Sequence, residues 1–316
     1  MTLQEESSRR GGGLEHIGKA LERVAGSPGS EPLNQDQASQ MIEKKTEDCQ
    51  CEGCGETFEG EVTTYNRFTP PKEIRPRECP KCRAERHERE EKEREQLLEE
   101  QRKGIREHWR RACGMPAELL TKTFENFEQK YQKAACKVAL DWAKDFSLDS
   151  PCGFPSLIFY SAIPGVGKGH LMAAIVNYVL ANWQGNPDRR RCPIRFESGP
   201  SLVRRIRATY NIRREDEIHE REDEVYQSLA GVPLLLLDDV GKESPSNFTR
   251  ETYWYIIDER VKTGLPVIIS SRLEFEGERS LETLMGEDTV SRLYGMTRGE
   301  FIEMEGKDYR RLKAIP

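Results

Sequence analysis

The stretch that most constrains this chain runs from Ser156 to Trp183, "SLIFYSAIPGVGKGHLMAAIVNYVLANW". Its first apolar run, Leu157 to Tyr160, is too short for a helix and reads as a buried strand. "SAIPGVG" can continue neither strand nor helix, and from Lys168 onward the residues are apolar nearly all round, the mark of a buried helix. A strand that turns sharply into such a helix is the first half of a parallel crossover. The same alternation recurs downstream. "PIRFE" (193–197), "VPLLLLDDV" (232–240) and "LPVIISS" (265–271) read as strands. "SLVRRIRATY" and "TRETYWYIIDERVKTG" read as helices, the second stopped by Gly264. "KAACKVALDWAKDF" has helical spacing as well. The fold class is therefore α/β, a parallel sheet with helices on both faces.

The glycine-rich turn resembles a phosphate-binding loop with two departures. Ala162 stands where the first glycine is usual, and Gly169 follows Lys168 where Ser or Thr is usual. The setting still suits phosphate: Gly165 and Gly167 let backbone N–H groups converge, the helix start adds its positive end, and Lys168 reaches the terminal phosphates. About seventy residues later the leucine run delivers Asp238 and Asp239 to the carboxyl end of a strand, where ligands bind in open α/β sheets. Asp238 suits Mg²⁺, and Asp239 suits orienting or deprotonating a water. Either feature alone is more simply a turn or a helix cap. Together, in this order, they predict binding of ATP with Mg²⁺ through Pro164, Gly165, Val166, Gly167, Lys168, Gly169, His170 and Asp238. The His170 and His219 side chains are assigned no chemistry of their own. Without a hydroxyl at Gly169 to hold Mg²⁺ directly, hydrolysis is expected to be slow.

Five of the nine cysteines fall in residues 49–82. Cys51-x₂-Cys54 and Cys79-x₂-Cys82 have the two-knuckle spacing of a closed zinc site, so Zn²⁺ is expected there in a structural role. Cys49 reads as a spare thiol. Residues 1–48 are polar and rich in Gly and Ser and read as disordered; 83–112 are nearly all charge and read as a solvated helical linker; 113–316 hold the α/β domain. A net charge of −6 excludes a uniformly basic nucleic-acid binder. With no signal-peptide core and no membrane-length apolar run, a cytoplasmic protein without membrane contact is expected.

With these motifs located, the chain resembles, over about residues 114–311, the AAA+ helicase loaders of bacterial replication (DnaC and DnaI type) and the related IstB-type transposition ATPases. "GMPAELLTKTFENFE", "PGVGKGHL", "LLLLDDVGKE", "YWYIIDERVKTGLPVIISS", "SRLYG" and "GKDYRR" carry the resemblance. It implies a three-layer P-loop core and an ATPase that loads a replicative DNA helicase onto single-stranded DNA, with weak, partner-stimulated hydrolysis. It also implies Asp239 as the water-activating acid and Arg292 as a finger acting on ATP in a neighbouring subunit, hence a homo-oligomer. Arg310 would sense the γ-phosphate within its own subunit. Arg272 stands where the family usually has a water-positioning asparagine. The family's DNA-facing helix corresponds to the segment with Arg204, Arg205, Arg207, Arg213 and Arg214, where Phe196 and Tyr210 could stack on bases; pairing of those arginines with the acids that follow is the plainer alternative. The ribbon takes the place of a helicase-gripping domain. The rival functions are an IstB-type transposition regulator and a nucleotide-binding adaptor without significant hydrolysis.

Overall fold

The computed structural model describes residues 42–209 and 222–313. It divides into two compact units after Arg94. In the first, β1 (Ile42–Gln50), β2 (Thr57–Tyr65) and β3 (Lys72–Ile74) form an antiparallel sheet in the order β1-β2-β3, with Ile42 opposite Tyr65 and Gln50 opposite Thr57. β1 begins at Ile42, inside the stretch read from sequence as disordered to 48. Its residues "IEKKTEDCQ" are exposed except Cys49, so no alternation betrays a strand, and its order comes from the ladder with β2. Besides cysteines, Val62 is the one fully buried apolar side chain among the described residues of this unit.

Helix α1 (Pro80–Ala112) is solvated along much of its length, with ion pairs one turn apart such as Arg86–Glu90 at 2.9 Å and Lys92–Glu88 at 2.6 Å. Pairs so open to water support the helix only weakly. Its last turns belong to the second unit instead of to a free linker. Trp109 is completely buried with its ring centroid 4.6 Å from that of Trp183, and Arg106 Nε donates to the Trp183 carbonyl at 3.0 Å.

The second unit is built on five parallel strands in the order β5-β6-β7-β4-β8. These are β4 (Leu157–Tyr160), β5 (Ile194–Ser198), β6 (Leu234–Val240), β7 (Val267–Ser271) and β8 (Ile302–Glu303). The leucine run of β6 serves both faces. Leu234 and Leu236 pack with α2 (Lys133–Asp145) and α3 (Lys168–Ala181), while Leu235 and Leu237 pack with α4 (Gly199–Thr209), α5 (Glu222–Ala230) and α6 (Asn247–Thr263). A strand covered on both sides has no polar face to alternate, which is why it reads as continuous leucine. The short helices α7 (Leu281–Met285) and α8 (Glu287–Met296) close the second face, and α9 (Tyr309–Lys313) follows β8. This is a three-layer α/β core, a parallel sheet between two layers of helices, as the sequence predicts.

One buried cation ties this core together. Arg260 is fully buried without a carboxylate partner among the described residues; its Nη1 donates to the carbonyls of Leu229 (2.9 Å), Ala230 (3.1 Å) and Val232 (2.9 Å), and its Nη2 to that of Pro266. Burial pulls its pKa down to about 9. It thereby joins the end of α5 to the turns that enter β6 and β7. Arg260→Met should leave these carbonyls without a donor and lower stability by about 3 kcal/mol or more, read as a shift in the urea midpoint. A change within about 0.5 kcal/mol would remove the role.

Candidate nucleotide site and cysteine centre

β4 and α3 hold the glycine-rich loop between them. Gly165 has φ +71° and Gly167 φ +107°, where L side chains are strained. A Cβ at Gly165 would fall 1.9 Å from Asp308 Oδ1, and one at Gly167 2.8 Å from the Phe127 ring. Both glycines are thus required twice, by dihedral and by space. Among the described non-glycine residues only Asp239 and Arg298 have positive φ, so Ala162 fits the loop mouth without strain. Lys168 is buried and its Nζ donates to the carbonyls of Ser161 at 3.0 Å and Ile163 at 3.4 Å. Burial lowers its pKa to about 8, with Asp239 pulling the other way.

The acids at the end of β6 arrive opposite this loop. A Cβ at Gly169 would meet Asp238 Oδ2 at 3.4 Å, so the residue that lacks its hydroxyl faces the carboxylate expected to hold metal. Asp238 Oδ1 accepts from Ser270 Oγ and, at 3.0 Å, from the Asp239 amide; burial pushes its carboxyl above the usual range. The β6–β7 register breaks between Leu237 and Val240, and Asp239 there adopts φ +53°. Such a break re-aims side chains. Asp239 Oδ2 lies 2.5 Å from Lys242 Nζ. Ala162, Asp239, Val240, Gly241, Lys242, Arg272 and Leu273 line a cavity of about 140 Å³ beside the loop.

The remaining expected site residues are distributed unevenly. Arg292 is held on α6 and α8: its Nε pairs with Asp258 Oδ1 at 3.1 Å, its Nη1 donates to the Asp288 carbonyl at 3.1 Å, and its guanidinium carbon lies 5.9 Å from the Trp254 ring centroid. Arg310 is exposed and its amide donates to Asp308 Oδ1 at 3.0 Å. Two neighbours not singled out in sequence touch the loop itself: Asp308 packs on Gly165, and the Tyr309 amide donates to the Gly165 carbonyl at 3.1 Å. The lead-in segment was likewise missed as a site element. Phe127 packs on Gly167 and meets the His170 ring edge-on at 4.9 Å, and His170 Nε2 lies 2.9 Å from the Thr123 carbonyl.

On α4, Leu202, Val203 and Ile206 are buried while Arg204 and Arg207 are exposed. Arg205 is tied to Glu197 at 3.3 Å and donates to Ser228 at 3.2 Å, and the Arg207 guanidinium carbon lies 5.0 Å from the Phe248 ring centroid. The expectation that Phe196 stacks on bases is corrected: it is 3 % exposed, because its place in β5 turns it into the α2–α3 core. Tyr210, Arg213, Arg214 and His219 lie outside the described residues, as do residues 1–41.

In the first unit the Sγ atoms of Cys51, Cys54, Cys79 and Cys82 all lie within 4.8 Å of one another, Cys54 and Cys79 at 3.8 Å. A tetrahedron with Zn–S arms of about 2.3 Å has edges of about 3.8 Å, so the donor set fits zinc. The Cys79 amide donates to Cys51 Sγ at 3.2 Å, and the Cys82 amide to Cys79 Sγ at 3.4 Å. Amides led by that of Cys79 pull the Cys51 pKa down to about 6. Cys49 stays outside the cluster, buried against Gly60.

No family model matches the chain. Among curated proteins it is 26 % identical over 173 residues to the replicative helicase loader DnaC of Buchnera aphidicola (subsp. Baizongia pistaciae), covering 54 % of this chain and 62 % of that protein. It is 22 % identical over 173 residues to DnaC of Escherichia coli K12, with the same coverage. It is also 26 % identical over 188 residues to the uncharacterized protein YdaV of E. coli K12, covering 60 % of this chain and 67 % of that one. The chain thus spans 62 % of the DnaC relatives' length, and in sequence it resembles the DnaC-type loaders. A crystal structure of the DnaC helicase loader overlaps with TM-score 0.45 at 22 % identity, covering 60 % of this chain and all of that one. DnaA from Aquifex aeolicus bound to AMPPCP overlaps with TM-score 0.44 at 20 % identity, covering 64 % and 54 %. At such scores the parallel strand order, and not the overlap, carries the fold. No helix among the described residues is long and apolar enough to cross a membrane.

Proposed function

We propose that this protein is an ATP-dependent loader that places a replicative DNA helicase on single-stranded DNA. The observation that carries the reading is the approach of the Lys168 loop to Asp238 and Asp239 at the carboxyl end of the sheet, in a chain similar in sequence to DnaC loaders. Backbone N–H groups of 165–169 and the Lys168 ammonium would hold the phosphates. Asp238 would hold Mg²⁺, which supplies charge neutralisation on the phosphates when bound. Asp239 would orient the attacking water once its pairing with Lys242 is released. Arg292 would act across a subunit boundary and Arg310 within its own subunit, both by resemblance. The cysteine ribbon is assigned Zn²⁺ and, with α1, the grip on helicase.

The test is a nucleotide-dependent complex. With ATP, the purified protein should co-migrate with its host's replicative helicase on size exclusion and leave the helicase bound to closed circular single-stranded DNA. Absence of co-migration in every nucleotide state would sink the loader reading. A nucleotide-ordered adaptor without hydrolysis is the second reading, favoured by the Asp239–Lys242 pair at 2.5 Å, which occupies the expected water-activating acid. Complex formation with ATP and no phosphate release would select it.

The role of α4 in binding DNA is tested with a double variant. Arg204→Ala with Arg207→Ala should weaken single-stranded DNA binding and flatten its salt dependence by about 1.4 in log–log slope, about 0.7 for each phosphate no longer neutralised. Arg205 is spared because it is already tied to Glu197 and Ser228. An unchanged slope would reassign both arginines to the solvated surface.

A further inference from the structure

Arg272 follows the last residue of β7 and lies at the junction of the two nucleotide motifs. On one side Ser271 pairs with Tyr160, and the Ser161 amide donates to the Ser271 carbonyl at 3.1 Å, so Arg272 stands beside the first residues of the loop. On the other side Ser271 pairs with Val240, next to the two acids. Arg272 and Lys242 line the same small cavity as Ala162 and Asp239. Lys242 is paired with Asp239, whereas among the described residues the exposed Arg272 side chain has no hydrogen-bond or ion-pair partner. Two cations from the β6 and β7 ends therefore share this cavity with the start of the loop; the Lys168 pKa is lowered first by burial, and Arg272 and Lys242 lower it further while Asp239 and Asp238 raise it. With Lys242 offset by Asp239, the Arg272 guanidinium is left as the charge without a partner, among the described residues, beside a place sized for a few atoms. The asparagine implied by resemblance at this position would bring no charge.

We propose that Arg272 binds the γ-phosphate of ATP from within the same subunit and supplies the charge that the chain forgoes by having Gly169 in place of a metal-binding hydroxyl. The proposal rests on the nucleotide reading above and adds to it the residue that distinguishes triphosphate from diphosphate. A guanidinium presents paired N–H donors that match two phosphate oxygens, and it does so without dissociable metal. Two consequences follow. ATP affinity depends on Mg²⁺ less than a hydroxyl-bearing loop would require, and Arg272 contributes to ATP binding and not to ADP binding.

The experiment is titration calorimetry on the full chain with ATP and with ADP, each in Mg²⁺ and in EDTA. Wild-type protein should bind ATP in EDTA within about tenfold of its affinity in Mg²⁺. Arg272→Asn should lose about tenfold in ATP affinity and nothing in ADP affinity, with ADP binding doubling as the check that the site is folded. Arg272→Lys should recover part of the loss. Equal losses for ATP and ADP, no loss for either, or wild-type ATP binding abolished by EDTA would overturn the role of Arg272 while leaving the nucleotide site standing. Failure of the wild-type chain to bind either nucleotide would overturn the site together with it.

Discussion

Cys79→Ser is expected to cost the protein its zinc and the fold of residues 42–82 while leaving the α/β unit intact. The reason is the near absence of any other core. Among the described residues of the first unit, the fully buried apolar side chains are three cysteines and Val62. Its sheet is otherwise edged by exposed charge, as in the Lys44–Glu61 pair at 2.8 Å, which contributes little. A ribbon of this size cannot offset its chain entropy by burial, and zinc bound to thiolates supplies apparent free energies of about 10–16 kcal/mol. Wild-type protein should carry about one zinc per chain by elemental analysis. In the variant, amide exchange in β1 and β2 should become fast while the melting of the second unit is unchanged. Zinc-free wild-type protein with a protected β1–β2 ladder would remove the metal from the account.

Lys168→Ala should weaken ATP binding by about two orders of magnitude or more, because the loop loses its charged donor to the phosphates. Lys168 Nζ also satisfies the carbonyls of Ser161 and Ile163, so Lys168→Arg serves as a second variant that keeps the charge while changing its reach. The depressed lysine adds a pH signature. In the free protein its pKa is about 8, whereas bound phosphates stabilise the ammonium. Binding above pH 8 therefore takes up a proton, and affinity should fall by up to about tenfold per pH unit there while staying flat below. Calorimetry in buffers of different ionisation enthalpy would show the uptake. Flat affinity through pH 9 would mean that Lys168 does not meet the phosphates.

What could be read in advance was what the local sequence encodes by itself. Leu234 to Leu237 announces a strand buried on both faces, and Gly165 and Gly167 announce a turn no other residue makes, so sheet, loop and acids were all legible. The packing that finishes the site is long-range. Asp308 lies on Gly165 and Phe127 on Gly167 with nothing in either local sequence to say so. Residues 42–48 carry no alternation because neither face of β1 is covered. Phe196 shows the converse: an aromatic among arginines suggests stacking, yet strand parity sends it inward. Arg272 read from sequence as a missing asparagine; only the cavity shows it as a charge facing the loop.

The distribution of thiols makes the chain its own reporter. Cys113 and Cys136 are buried and burial raises both thiols, while Cys192 is pushed up to about 11; Cys49 is enclosed as well. Outside the four clustered cysteines, that leaves Cys152 as the exposed thiol. A maleimide added to the zinc-loaded protein should therefore label one position, on the loop between α2 and β4. Chelation should then release the four clustered thiols to the same reagent, so that intact mass counts ribbon states molecule by molecule. A dye on Cys152 would follow the α/β unit while the number of further labels follows the ribbon, without an introduced cysteine.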